Sequence, residues 1–226
     1  MKSWKDLPET MQGSAVRPYY DYLARKKGSL VAKRVFDLLV SGIMIIILSP
    51  LLLFLTLWVK IDSPGPAMFR QVRVTQYGKE FRIFKFRTMV VNAEALGAQV
   101  TGSCDPRITS VGNKLRKVRL DELPQLLNIF LGEMSFVGTR PEVPRYVERY
   151  TEEMRATLLL PAGVTSIASI AFKDEDEIMA DAENPDELYV HEVLPIKMRY
   201  HLQSLKEFGF WKDIATMFKT VAAVIK

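Results

Sequence analysis

A long apolar segment limits what this chain can fold into. Residues Val35 to Val59 form 25 consecutive positions with a single charged side chain, Asp37. As one straight helix the segment would be about 37 Å long at roughly 1.5 Å per residue, which exceeds the roughly 30 Å hydrocarbon core of a bilayer. A core helix this long and this apolar is unusual in a chain of 226 residues, so the segment predicts membrane attachment.

Two features bear on how the segment meets the membrane. Ser49 and Pro50 lie just past its middle, where proline removes a helical hydrogen bond and favours a kink or break. Basic residues flank both ends, at 25–34 and 60–73, and such flanks prefer the cytoplasmic side. A re-entrant helix keeps both basic flanks on the cytoplasmic side. A kinked spanning helix places one of them on the opposite side of the membrane. These residues alone leave both arrangements open.

Asp37 near the start of the segment has two interpretations. Acidic side chains within a membrane are commonly functional. Asp37 also lies close in sequence to Lys33 and Arg34, so it can pair with one of them at the membrane interface. We favour this second, structural interpretation.

The net charge of +5 hides an uneven distribution. Residues 60–119 contain 12 basic and 4 acidic side chains, whereas residues 120–200 contain 7 basic and 16 acidic ones. The basic part indicates an anionic partner, which phosphates, nucleic acid or an anionic membrane surface would all satisfy. Cys104 is the single cysteine, so a disulfide framework and a cysteine metal cluster are excluded.

The remaining patterns predict a single domain, 1–226, that is mostly α with a small β-hairpin. Residues 1–34 form a polar and basic segment whose aromatic side chains, Trp4, Tyr19, Tyr20 and Tyr22, suit a membrane interface. The membrane helix occupies 35–59. Residues 60–226 form a compact cytosolic α/β body.

Strand-like alternation occurs in MFRQVRV (68–74) and KEFRIFKF (79–86), on either side of a turn, which predicts the hairpin. Residues 195–225 have helical spacing of apolar side chains and predict one or two amphipathic interface helices. The acidic stretch at 173–187 is expected to be solvated.

Candidate chemistry rests on acids and arginines, since there is no phosphate-binding glycine loop and no G-x-S-x-G motif. Asp121 and Glu122 precede a predicted helix, and Asp121 is expected to cap it, with Pro124 in the first turn. Arg116 and Arg119 come just before and can neutralise phosphate oxygens. A carboxylate held near phosphate by cations and a divalent ion can attack phosphorus. A capped helix with a solvated basic approach is the simpler alternative, and the residues alone favour it.

Three further cations are candidates for binding an anion. Lys85 and Arg87 lie at the end of the second predicted strand, and Arg140 lies in a Gly-Thr-Arg-Pro turn. Backbone amides and one arginine in such a turn can hold an anion. Cations at strand ends are usually only solvated, so their roles stay open at this point.

Seven short motifs occur in order along the chain: KRVFD (33–37), SP (49–50), SPGP (63–66), KFRTM (85–89), DPRIT (105–109), LDELPQ (120–125) and MSFVGTRP (134–141). Together they resemble those of the bacterial sugar transferases, the small monotopic phosphoglycosyl transferases that initiate glycan assembly on polyprenol phosphate. The resemblance extends from Lys33 to about Thr220.

The resemblance implies a two-step reaction. Asp121 would attack the β-phosphorus of a UDP-sugar, releasing UMP and forming a phosphosugar-aspartate. Polyprenol (undecaprenyl) phosphate would then attack that intermediate to give the polyprenyl diphosphosugar. Mg²⁺ would lie beside Asp121, and Glu122 would support the metal or the proton transfers.

The resemblance also implies sites and a location. Lys85, Arg116 and Arg140 fall on the family's basic positions near the phosphates, and Arg119 is added because it lies next to the acidic pair. Ser49 and Pro50 would break the helix and make it re-entrant. The protein would lie in the bacterial inner membrane with its body facing the cytoplasm, bound to inner-membrane lipids, and a homodimer is compatible with this.

Three segments depart from the family pattern: RVTQYG (73–78), PAGVTS (161–166) and the acidic 173–187. They leave the identity of the sugar open, along with the glycan pathway. A catalytically inactive membrane scaffold for glycan-assembly enzymes is one alternative, but it would not need Asp121, Glu122 and Arg140. A membrane-tethered nucleic-acid binder is another, but the chain has no recognisable binding motif, and no nucleic-acid partner is expected.

Overall fold

A computed structural model of the chain describes residues 1–93, 105–172 and 185–225. Cys104 and most of the acidic 173–187 stretch lie outside the described residues. The α-helices, in chain order, are α1 (Arg17–Ala24), α2 (Lys27–Asp62), α3 (Ser110–Lys117), α4 (Gln125–Leu131), α5 (Pro144–Val147), α6 (Ile167–Ala171), α7 (Pro185–Leu188), α8 (Leu194–Lys206) and α9 (Phe210–Ile225). The strands are β1 (Met68–Val74), β2 (Glu80–Phe86), β3 (Met134–Val137) and β4 (Ala162–Thr165).

Helix α2 contains the apolar segment and is the one helix in the described ranges long and apolar enough to cross a membrane. It continues through Pro50 rather than stopping there, so the predicted helix-break-helix is a single helix in the structure. The hydroxyl of Ser49 donates to the Ile46 carbonyl at 2.8 Å. That carbonyl is the one left without a backbone donor by Pro50. Ser49 thus supplies the missing donor, which explains how the helix tolerates the proline.

One face of α2 packs on the rest of the molecule along most of its length. Near the middle, Met44, Ile45 and Leu48 pack against a buried cluster that includes Leu126 of α4. Farther on, Leu55 and Val59 are buried against α3 and β2, where they meet Leu115 and Phe86. The opposite face is exposed and apolar, as shown by Ile46, Ile47, Leu53, Phe54, Leu57 and Ile61.

Two small sheets accompany the helices. Strands β1 and β2 form the predicted antiparallel hairpin, with Phe69 opposite Lys85. Tyr77 in the turn between them has a positive φ of 60°. The parallel pair β3–β4, in which Ser135 lies opposite Gly163, was not predicted. The prediction of a mostly helical chain with a small hairpin is confirmed.

The N-terminal residues belong to the largest buried cluster. Leu7, Met11 and Leu23 pack there with side chains from α5 and α8. The prediction that Tyr19 suits a membrane interface is wrong, because this ring is buried and its hydroxyl donates to Glu153 at 2.5 Å. Aromatic residues serve cores as well as interfaces, and their sequence spacing does not distinguish the two.

The N-terminal packing predicts a stability effect. Leu23→Ala is expected to lower the free energy of unfolding by about 2–5 kcal/mol, because it removes a fully buried side chain and leaves a cavity. Ile196→Ala, on the exposed side of α8, is the matched control and should change it by under about 0.5 kcal/mol. Chemical denaturation in detergent would measure both, and equal effects would contradict the assignment of 1–24 to the core.

Candidate active site

A tight turn between α3 and α4 carries the acidic pair. Arg119 adopts the left-handed conformation with φ 56° and is followed by a 3₁₀ turn, Leu120–Glu122. Because α4 begins only at Gln125, Asp121 does not cap it, and the predicted capping role is wrong. The Oδ1 atom of Asp121 is buried and has no hydrogen-bond partner among the described residues. The turn therefore presents a carboxylate with one oxygen unpartnered in the described part of the chain.

Glu122 is the point where three segments meet. Its Oε1 atom accepts from the Lys85 ammonium of β2 at 2.8 Å and from the Arg140 guanidinium, after β3, at 3.1 Å. Burial by itself raises the pKa of Glu122, but the two cations outweigh it and hold that pKa well below its usual range. Glu122 is therefore an ionised anchor for two cations.

The electrostatics of Asp121 differ from those of its neighbour. Burial raises the pKa of Asp121, and the positive charges of Lys85, Arg116 and Arg119 oppose that rise. The negative charge of Glu122 adds to it. All four predicted cations thus act on the acidic pair: Lys85 and Arg140 by contact with Glu122, and Arg116 and Arg119 through space.

Arg87, considered as an anion-binding cation, has another role. It is buried and donates to the carbonyl oxygens of Ser63 and Pro64 at 2.6 and 2.7 Å, and to the Ser63 hydroxyl at 2.9 Å. These carbonyls lie in the turn that follows α2, beyond its helical hydrogen bonds. Arg87 therefore fastens the end of the membrane helix to the end of β2.

Asp37 is structural, as favoured from the sequence, but Lys33 and Arg34, the partners considered for it, bind other groups. It is buried, and its Oδ1 atom accepts from the Phe136 amide of β3 at 3.2 Å. Lys33, one turn earlier, donates to Asp213 at 2.6 Å and to the Val137 carbonyl at 2.8 Å. These contacts hold the start of α2 on the body.

Asn128 positions the site and was missed in the sequence. It is fully buried in α4, accepts from the Phe84 amide at 2.8 Å and donates to the Arg82 carbonyl at 3.1 Å. It therefore joins α4, just after the acidic turn, to the strand that carries Lys85. A polar residue in the apolar run Leu126–Ile129 was the available signal.

Comparison with known proteins identifies the family to which this chain belongs. The family described as Bacterial sugar transferase matches residues 28–226. The chain is 34% identical over 232 residues to the UDP-N-acetylgalactosamine-undecaprenyl-phosphate N-acetylgalactosaminephosphotransferase of Aeromonas hydrophila, covering 98% of this chain and 51% of that protein. It is 34% identical over 218 residues to the UDP-glucose:undecaprenyl-phosphate glucose-1-phosphate transferase of Escherichia coli, covering 94% and 44%.

A third relative is the undecaprenyl-phosphate galactose phosphotransferase of Salmonella typhimurium, 33% identical over 217 residues, with 89% of this chain and 42% of that protein covered. The chain thus spans about half the length of these curated relatives. Their names differ in the sugar and agree on undecaprenyl phosphate.

The shared carboxylate predicts strong coupling between Lys85 and Glu122. In a double-mutant cycle with Lys85→Met and Glu122→Gln, the interaction term in the free energy of unfolding is expected to be about 1–3 kcal/mol, because each single change removes one charged partner from a buried group. The exposed pair Arg17 and Asp21, 3.0 Å apart, is the matched control, with a term of about 0.5 kcal/mol or less. Equal terms in denaturation experiments would contradict the buried pairing.

Proposed function

Because this chain belongs to the bacterial sugar transferase family, we propose that it transfers a sugar 1-phosphate from a UDP-sugar to undecaprenyl phosphate and releases UMP. One observation carries the proposal. The buried Asp121 carboxylate, whose Oδ1 has no hydrogen-bond partner in the described part of the chain, lies within the electrostatic reach of Lys85, Arg116 and Arg119. A nucleophilic oxygen among several cations suits attack on a phosphorus that carries negative charge.

The first step is attack of an Asp121 carboxylate oxygen on the β-phosphorus of the donor. A bond forms between that oxygen and phosphorus, the bond from phosphorus to the bridging oxygen breaks, and UMP leaves with the bonding electrons. The enzyme then carries the sugar phosphate as an acyl phosphate on Asp121. Phosphoryl transfer of this kind needs positioning and charge neutralisation more than proton transfer.

The second step returns the enzyme to its starting state. A phosphate oxygen of undecaprenyl phosphate attacks the same phosphorus, and the bond to Asp121 breaks. The product is undecaprenyl diphosphosugar. One site thus serves a soluble donor and a lipid acceptor in turn, which a covalent intermediate makes possible.

Glu122 is proposed to act through its two cations. Its contacts with Lys85 and Arg140 hold both positive charges beside Asp121, so they are in place before the donor binds. Such preorganised charge lowers the barrier without rearrangement during the reaction. Because the same contacts keep Glu122 ionised, we assign it this role in preference to supplying a proton.

The residues fit a magnesium ion, which the family resemblance implies. Carboxylate oxygens suit Mg²⁺, which is commonly bound by one or two carboxylates together with substrate phosphates. Among residues 1–93, 105–172 and 185–225 no group of three or more His, Cys, Asp or Glu side chains could hold a metal. Asp121 would hold the ion, together with the donor's diphosphate, through the carboxylate oxygen that does not attack phosphorus. When bound, the ion would neutralise charge on the diphosphate oxygens.

The packing of α2 supports a re-entrant membrane helix. Its start contacts β3 through Lys33 and Asp37, and its end contacts the same body through Leu55 and Val59. Because α2 is one continuous helix, entry into and return from one leaflet requires it to bend, and Pro50 is the position in its interior where a bend is expected. With both ends on one body, we propose that α2 enters and leaves one leaflet of the inner membrane, with the body in the cytoplasm. Exposed Trp211 and other apolar side chains of α9 fit a helix lying in the interface.

The reaction predicts that Asp121→Asn abolishes UMP release. Purified protein would be incubated with Mg²⁺, undecaprenyl phosphate and a panel of UDP-sugars. Loss of at least about 10³-fold is expected, because an amide is a poor nucleophile and carries no negative charge. Asp21→Asn, which removes a carboxylate from an exposed ion pair, is the control and should retain full activity.

Two outcomes would contradict parts of this scheme. Full activity of Asp121→Asn would exclude Asp121 as the nucleophile. Absence of UMP release by the wild-type protein across a broad panel would favour the non-catalytic scaffold.

The re-entrant arrangement predicts the labelling pattern of two engineered cysteines. In a Cys104→Ser background, Lys27→Cys and Lys60→Cys mark the two ends of α2. Neither should react with a membrane-impermeant maleimide added outside intact cells, and both should react once the inner membrane is permeabilised. Labelling of one of them from outside would indicate a spanning helix, because its two ends lie on opposite sides.

A further inference from the structure

The turn that carries Arg140 is held by backbone contacts on its N-terminal side. The Gly138 amide donates to the Thr165 carbonyl at 3.0 Å, and the Gly163 amide donates to the Thr139 carbonyl at 2.8 Å. The two glycines are so close that a Cβ on Gly163 would lie 2.1 Å from the Gly138 nitrogen. The chain is thus fixed to β4 immediately before Arg140.

The C-terminal side of the turn is held by the end of β1. The Val74 amide donates to the Glu142 carbonyl at 2.9 Å. The Arg73 guanidinium donates to the Pro141 carbonyl at 3.1 Å. Contacts therefore hold the chain immediately before and immediately after Arg140.

A buried polar network continues from this point. The Glu142 carboxylate accepts a short hydrogen bond from the Tyr189 hydroxyl. Lys197 donates to the same hydroxyl at 3.2 Å. All three side chains are at least 94% buried. Burying charged groups is costly unless they are paired, and removing one partner leaves the others uncompensated. The proposed reaction uses none of the three.

One member of this network, Tyr189, lies in a helical segment with unusual geometry. Tyr189 begins a π-helical turn, Tyr189–Val193, between α7 and α8. Such turns are rare and are frequent at functional sites. Just before it, Asp186 accepts from both Arg145 and Tyr146 of α5 at 2.5 Å. The segment therefore contacts the chain that follows Arg140 at two places, Glu142 and the start of α5.

We propose that Glu142, Tyr189 and Lys197 are positioning residues that keep the Arg140 guanidinium on Glu122, facing the donor's phosphates. The inference rests on the proposed function, since it concerns the same reaction. Arg140 reaches the site from a turn, and its side chain is 36% exposed. A displacement of about 1 Å of such a group can lower a rate by up to about 100-fold. The network stiffens the turn from its far side.

Tyr189→Phe tests the network because it removes one hydroxyl and little volume. Tyr19→Phe is the matched control, since Tyr19 is equally buried, lies in the same cluster and donates to a different carboxylate, that of Glu153. We expect Tyr189→Phe to lower kcat/KM for the UDP-sugar by about tenfold and Tyr19→Phe by less than about twofold. Equal losses in the two variants would overturn the proposal.

Combination with Arg140→Ala identifies the route of the effect. If the network acts through Arg140, Tyr189→Phe should lower activity no further in the Arg140→Ala background. The same tenfold loss in both backgrounds would show that Tyr189 acts elsewhere and would overturn the proposal.

Hydrogen–deuterium exchange separates this inference from the proposed function. Tyr189→Phe should accelerate amide exchange in a peptide covering 138–143 by about tenfold or more, while Tyr19→Phe should leave it unchanged. Unchanged exchange in Tyr189→Phe would overturn the proposal. If the wild-type protein releases no UMP but Tyr189→Phe still accelerates exchange in 138–143, the assigned reaction is refuted. The inference that the network holds the turn is then retained.

Discussion

The structure depends on one buried carboxylate shared by two cations. Glu122 accepts from Lys85, 37 residues earlier, and from Arg140, 18 residues later. A buried anion is tolerated when its partners complete its hydrogen bonds, so the strand, the turn and the loop must meet at this point. Because Asp121 immediately precedes Glu122, its own carboxylate is brought into the same positive field. Two neighbouring residues therefore have different roles: Glu122 holds the cations, and Asp121 is the proposed nucleophile.

The membrane helix is fastened to this centre at both ends by polar contacts. At its start, Lys33 and Asp37 bind groups of β3. Near its end, Asp62 accepts from the Val111 amide of α3 at 3.3 Å, and Arg87 holds the turn that follows. Helix α3 and strand β2 carry cations that act on Asp121. In the proposed membrane arrangement, the depth of α2 in the bilayer sets the height of the site relative to the lipid surface, which suits the proposed transfer from a soluble donor to a lipid phosphate.

Much of the fold and part of the site could be predicted from local pattern. The β1–β2 hairpin follows from alternation on either side of a turn, and the membrane helix follows from its uninterrupted apolar run. The acidic pair was recognised from adjacent residue types and motif order. The predicted cap at Asp121 failed because Asp121 lies in a separate 3₁₀ turn, Leu120–Glu122, and α4 begins only at Gln125.

The sequence by itself determined the membrane attachment, the mostly helical class, the family and the residues that form the charged centre, because these depend on composition, periodicity and motif order. Only the tertiary structure decided which partner each of several similar residues binds and which of them are buried. Lys85 binds Glu122 while Arg87, two positions later, binds carbonyls after α2. Tyr19 lies in the core. Hydrogen-bond partners are set by which distant segments meet, and local sequence does not contain that information.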